Sequence, residues 1–203
     1  MKENKKTLMI IAKSVLCILM VVGLVSCKAN EPASEVPESV SETTPVSEKE
    51  FKDYTGKKVY FAAPLFNEME KDFNLKITHI LEEYGYEVFL PQRDGFLAVE
   101  LEGLTEEELA KTIFDKDLEN VQNADIIFMI VDGRVPDEGA CVELGLAYAM
   151  GKRCYGLKSD ARVVETNLEI NPMISGCFIK LFVNYNGEKL IEELRQYLSE
   201  NEL

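Results

Sequence analysis

Asp125-Ile-Ile-Phe-Met-Ile-Val131, followed after a short loop by Gly139-Ala-Cys-Val-Glu-Leu-Gly-Leu-Ala-Tyr-Ala-Met150, is the stretch on which the fold turns. From Ile126 to Val131 there is no polar position, so the strand has no solvent face and belongs in the middle of a parallel sheet covered on both sides. The run from Gly139 reads as a helix that Gly151 ends. Working outward, Lys58–Pro64 and Tyr86–Leu90 are short β-prone apolar runs, each stopped by proline. Between them Phe66, Met69, Phe73, Ile77, Ile80, Leu81 and Tyr84 recur at three and four, the period of a half-buried helix, with Gly85 placed to end it. Phe96 to Gly103 is less regular. Thr105 with Glu108 three residues on forms a capping box for a helix to about Phe114, and Asp117–Asn123 adds another helical turn or two. Arg153–Leu157 and Phe178–Val183 read as strands and Gly187–Ser199 as an amphipathic last helix.

This alternation predicts an α/β domain: three layers, doubly wound, flavodoxin-like or Rossmann-like, around a mostly parallel five-stranded sheet. Ligands in such folds bind at the carboxyl ends of strands, so the tips after Phe61, Leu90, Val131 and Leu157 are where function is expected.

The chain has 203 residues, of which 46% are hydrophobic and 29% charged, which suits one domain with a tail and excludes wholesale disorder. A net charge of -14 repels nucleic-acid phosphates and argues against a DNA or RNA polymer as partner. His79 is the only histidine, which removes His-rich metal sites and leaves one candidate for a Ser-His-Asp relay. The chemistry falls to carboxylates, hydroxyls and thiols.

Residues 1–27 read as a targeting segment. Lys2, Lys5 and Lys6 precede an apolar run from Ser14 to Val25 that, at about 1.5 Å per residue, falls well short of a roughly 30 Å hydrocarbon layer. The ending Leu24-Val25-Ser26-Cys27 resembles a bacterial lipobox, which implies that Cys27 becomes the lipidated first residue of the mature protein; an uncleaved anchor helix is the alternative, and both place the chain at a membrane surface. Residues 28–50, KANEPASEVPESVSETTPVSEKE, carry six Glu and no aromatic residue, and are expected to be a disordered acidic Ser/Pro/Glu linker. The folded domain is then 51–203. Its cysteines, Cys141, Cys154 and Cys177, have no C-x-x-C spacing and read as small apolar residues, with a disulfide between two of them left open outside the cytoplasm.

Glu143 is the only charge in its helix. An ionised carboxylate among small and apolar residues costs on the order of 3 to 5 kcal/mol if left without a partner, so it should face the strand ends and serve a purpose. Asp137 lies in the loop entering that helix, where a helix cap is as good a reading as catalysis. Asp132, at the strand end, could equally orient the loop, and Asp117 could be a cap. Carboxylates gathered at one strand end suggest glycosyl chemistry, which needs one as nucleophile and another acid group for the leaving group.

Five blocks in order then resemble the nucleoside 2-deoxyribosyltransferases: Val59-Tyr60-Phe61-Ala62-Ala63-Pro64-Leu65-Phe66; Leu90-Pro91-Gln92-Arg93-Asp94-Gly95; Asp117-Leu118 with Ala124-Asp125; Asp132-Gly133 with Asp137-Glu138-Gly139; and Glu143-Leu144-Gly145-Leu146-Ala147-Tyr148-Ala149-Met150-Gly151-Lys152. The resemblance implies that Glu143 attacks C1′ of the deoxyribose as one base leaves and another enters, with Tyr60 holding its carboxylate. It implies that Asp137 and Asp117 bind the base and pass its proton, that Gln92 contributes to base recognition, and that Phe66 and Asp132 stand among the substrate-binding positions. Asn171 resembles a late asparagine that reaches a neighbouring subunit's site to bind the sugar 5′-hydroxyl, which implies a homo-oligomer. No metal or cofactor is implied; the partners are a deoxynucleoside and a free nucleobase. Two features depart from the family, which is usually cytoplasmic and often has glycine where Ala62-Ala63-Pro64 stands.

Two rival functions remain at this level. One is a hydrolase of deoxynucleosides or their 5′-monophosphates, for which the first loop lacks the serine a phosphate site commonly uses. The other is a lipid-anchored nucleoside-binding protein without turnover, for which a nucleophile would be superfluous.

Overall fold

A computed structural model describes residues 54, 56–96, 98–163 and 168–203. The targeting segment 1–27, the lipidation site Cys27 and the linker 28–50 lie outside the described residues. The chain runs β1 (Lys58–Ala62), α1 (Glu68–Glu83), β2 (Glu87–Phe89), α2 (Pro91–Asp94), a 3-10 turn (Ala98–Leu101), α3 (Glu106–Asn123), β3 (Ile126–Ile130), α4 (Glu138–Ala149), β4 (Arg153–Lys158), α5 (Pro172–Ser175), β5 (Lys180–Val183) and α6 (Gly187–Glu200). The five strands lie in the order β2-β1-β3-β4-β5, and every neighbouring pair is parallel. The order reverses between β1 and β3, which opens a crevice at their carboxyl ends.

Successive side chains of a strand point to opposite faces. Val59, Phe61, Phe128 and Leu157 therefore pack under Ile77 and Leu81 of α1 and Leu190 and Leu194 of α6. Tyr60, Ala62, Ile127 and Met129 pack under Val121 of α3 and Leu144 and Ala147 of α4. Each fully buried Leu, Ile or Phe stabilises the sheet by roughly 1.5 to 3 kcal/mol. Thus the fold is the expected three-layer α/β sandwich, and its sheet is wholly parallel.

The structure corrects the expected elements in four places. Asp117–Asn123 is not a separate turn: α3 runs unbroken from Glu106 to Asn123, because no Pro or Gly interrupts it and its Thr105–Glu108 capping box starts it firmly. Asp117 thus lies inside a helix and caps nothing. Pro91, expected only to stop a strand, occupies the first turn of α2, where its missing N–H is harmless. A second short helix, α5, likewise begins on Pro172. The last strand begins at Lys180 and not Phe178. Among the described residues Cys141, Cys154 and Cys177 are free, and no helix is long and apolar enough to cross a membrane.

Candidate active site

Glu143 sits on α4 beside the residues that bury that helix, Ala140, Leu144 and Ala147. It does not face solvent alone. Tyr60, fully buried on β1, donates its hydroxyl proton to Glu143 Oε1 at 2.6 Å. The Tyr60 ring is itself fixed by stacking on Phe89, with centroids 5.6 Å apart. One strand residue of a parallel sheet thereby sets the position of a carboxylate 83 residues away in sequence.

Burial pushes the Glu143 carboxyl up to about 7; the nearby charges of Asp117 and Asp137 push the same way, while the Tyr60 bond pulls it down. Burial also raises Asp117, against the Tyr60 hydroxyl and Lys116, which lower it. Tyr60 is held far above the ordinary phenol range, by burial first, then by Glu143 and Asp117. At neutral pH the phenol is therefore a fixed donor to whichever carboxylate is ionised. Three groups from β1, α3 and α4 form one electrostatic unit, with Asp137 close enough to be felt.

Asp137 caps α4: its Oδ1 accepts from Ala140 N at 2.8 Å. Capping and acid-base work are compatible here, because a cap occupies one carboxylate oxygen and Oδ2 keeps its lone pairs.

Two openings meet at the start of α4. One, of about 720 Å³, lies at the carboxyl ends of β1, β3 and β4 and is lined by Pro64, Phe66, Asp132, Asp137, Glu138 and Arg162, among others. The other, of about 480 Å³, lies between α3 and α4, where Gly139 and Glu143 face Asp117, Ile113 and Phe114. The expected carboxylate cluster is therefore split: Asp137 opens on the strand-end cavity, Glu143 and Asp117 on the apolar cleft, joined through consecutive residues Glu138 and Gly139. Phe66 stands among the lining residues of the first opening, 76% exposed.

Asp132 takes one of the two roles the sequence allowed it, and Gln92 is held in a way the sequence did not predict. The Asp132 carboxylate accepts from Ser159 N at 2.6 Å, from the Ser159 hydroxyl and from Asp160 N at 3.1 Å, so it ties the loop after β3 to the loop after β4. The loop-orienting reading of Asp132 is the one its contacts support. Gln92 accepts from Asn74 Nδ2 at 3.0 Å and donates to Lys71 O at 2.9 Å, which commits its amide to the protein itself. Asn171 caps α5, accepting from Met173 N at 2.9 Å; it is exposed and lines neither opening.

Sequence reasoning missed Asn74. Only 2% exposed, it donates to Pro64 O at 2.8 Å as well as to Gln92, and so pins the loops after β1 and β2 together. A signal existed: Asn74 falls on the apolar face of α1 with Ile77 and Leu81, three and seven residues on, where a polar side chain needs buried partners. Gly133, quoted with Asp132 in the motif blocks, has a structural role that the blocks do not state. Its φ of +100° and the 3.0 Å approach of Val135 O to a would-be Cβ leave only glycine at the bend, from which its N–H donates to Asp160 Oδ2 at 2.9 Å.

Comparison with known proteins fits this geometry. The family model described as nucleoside 2-deoxyribosyltransferase matches residues 59–193. A 2-deoxyribosyltransferase from Bacillus psychrosaccharolyticus is 28% identical, with a TM-score of 0.56 over 69% of this chain and 91% of that one. A conserved protein from Enterococcus faecalis V583, 24% identical with a TM-score of 0.53 over 69% of this chain and 98% of that one, shares the fold. Among curated proteins none is significantly similar in sequence.

Proposed function

The chain belongs to the nucleoside 2-deoxyribosyltransferase family, and from that premise we propose that it exchanges nucleobases on 2′-deoxyribonucleosides by double displacement at Glu143. The observation that carries the reading is the Tyr60–Glu143 bond: a largely desolvated carboxylate, aimed by a buried phenol, beside two further carboxylates. In the first step a Glu143 oxygen bonds to C1′ while the C1′–N bond breaks, and the departing base takes a proton from Asp137 or Asp117. In the second a ring nitrogen of the incoming base attacks C1′, the ester bond to Glu143 breaks, and the surplus proton returns to the acid. Two inversions restore the original configuration.

Each environment suits its part. The oxocarbenium-like transition state gains a positive charge, which an ionised Glu143 in a water-poor cleft stabilises more strongly than solvent could. A Glu143 titrating near neutrality keeps enough anion for attack. Asp117, raised by burial, retains its proton to higher pH than a surface carboxylate and suits it to donate one. Phe66 offers its ring to the base. Gln92, with its amide already engaged, would act on the base by holding the wall beside it.

The oligomer and the location are part of the same proposal. Phe114, Val142 and Tyr148 leave an apolar surface beside the α3–α4 cleft, and Asn171 and Met173 form an exposed corner. A second copy that covers the first surface with the second corner would close the cleft and bring Asn171 to the sugar. The lipobox-like Leu24–Cys27 supports a lipid anchor on the outer face of the membrane; the full chain should fractionate with membranes and its Cys27→Ala variant should not.

The test is incubation of residues 49–203 with a deoxynucleoside, with and without a second base. Exchange to a new nucleoside supports the proposal; release of free deoxyribose in both arms indicates a hydrolase; no turnover in either indicates a binding protein.

A further inference from the structure

Lys158 is the last residue of β4 and is fully buried. Among the described residues no carboxylate lies within ion-pair distance of its ammonium. Its protons go to backbone carbonyls of the loop that follows: Asp160 O, and Arg162 O at 2.8 Å. A buried ammonium satisfied only by carbonyls is an unfavourable choice for stability, because hydrocarbon of the same volume would avoid its desolvation. Where a protein keeps such a group, a role in the site is the natural reason.

The loop it grips is the wall of the strand-end cavity. Ser159, Asp160 and Arg162 line that cavity together with Asp132, Gly133 and Asp137. Asp160 accepts from Gly133 N at 2.9 Å, from Arg162 N at 2.8 Å and from Arg162 Nε at 2.6 Å. Ser159 and the Asp160 N–H donate in turn to Asp132. Lys158 turns two carbonyls of this loop inward, and the loop holds the bend 132–133 that leads to Asp137 at the head of α4.

We infer that Lys158 is a positioning residue of the proposed nucleoside site, holding the β4 loop, and through Asp160 and Ser159 the approach to Asp137, as one rigid wall of the strand-end cavity. The inference rests on the proposed function for its substrate, and on the hydrogen bonds alone for its rigid wall. Lys158 touches no reacting atom; it fixes where the substrate lies against Asp137.

The test replaces Lys158 with methionine, of similar length and without charge, and measures three things: melting temperature, KM and kcat for deoxynucleoside exchange, and backbone hydrogen exchange over residues 132–133 and 159–162. The expected result is a variant that melts at or above the parent's temperature while kcat/KM falls on the order of ten- to a hundredfold, mostly through kcat, as loss of orientation predicts. Hydrogen exchange in the two loops should quicken and that of β3 should not. Unchanged kinetics with unchanged loop exchange overturn the inference, and so does a loss of activity that only tracks a lower melting temperature. If the methionine variant does not fold, Lys158→Gln, which keeps a donor for one carbonyl, decides by the same readings. A parent without turnover sinks the proposed function, and the loop-exchange arm then decides Lys158 by itself.

Discussion

Replacing Glu143 by glutamine should make the protein inactive and more stable, and the gain should depend on pH. The carboxyl titrates at about 7 in the fold against an ordinary 4.5, chiefly because it is buried. The folded state therefore holds the proton more tightly than the unfolded chain, folding takes up a proton between those two values, and stability falls as pH rises through that window. Above it, the ionised carboxylate costs about 3 kcal/mol. At pH 5 the cost is under about 1 kcal/mol, since the folded carboxyl is then almost fully protonated. Glutamine has the same shape, keeps an oxygen to accept the Tyr60 proton, and never ionises. At pH 8 the variant should thus gain about 3 kcal/mol, or roughly 6 to 12 °C in melting temperature for a domain of this size, and at pH 5 about a third of that. Calorimetry at the two pH values, with base-exchange assays on the same samples, checks both halves. Equal melting shifts at pH 5 and pH 8 would refute the buried-carboxylate reasoning, and substantial turnover in the variant would refute the nucleophile.

Three further outcomes are expected. Tyr60→Phe removes the bond that lowers Glu143, worth about 1.5 to 3 kcal/mol, so the limb along which kcat/KM rises with pH should move to higher pH by roughly 1 to 2 units; a limb that stays put contradicts the coupling. Asp137→Asn keeps the cap on α4 and should leave stability unchanged, while turnover of bases that must be protonated to leave falls by about 10² to 10⁴ and that of activated leaving groups falls little; equal losses on both would remove Asp137 from proton transfer. If Asn171 acts across an interface, refolding Glu143→Ala together with Asn171→Ala should recover about a quarter of the parent's exchange activity in a two-fold assembly, although each alone is inactive or weak. Recovery of none would place Asn171 in its own subunit's site or outside any site.

The architecture was readable because it rests on local pattern. An unalternating run such as Ile126–Val131 can be stable only between two covered faces, and the threefold and fourfold spacing from Phe66 to Tyr84 can be buried only as a helix. Helix ends announced by chemistry, as at Thr105 with Glu108, also matched, whereas α2 and α5 left no trace in the pattern because four residues carry no period. The lone charge of Glu143 in an apolar helix singles it out from residue order alone, since a desolvated carboxylate needs a partner; the motif blocks supply the partner's name, Tyr60, and the contact between them bears it out.

What the order of residues determined by itself was therefore the sequence of strands and helices and the identity of the exceptional acids. Only the tertiary structure decided how those acids divide between two openings, that Asp132 spends its hydrogen bonds on the loop after β4 and Gln92 its own on α1, and that Asn74 and Lys158 are buried. The physical reason is range: secondary structure follows from periodicities within a few residues, while a hydrogen bond between residues 18 or 27 positions apart depends on where parallel strands end side by side.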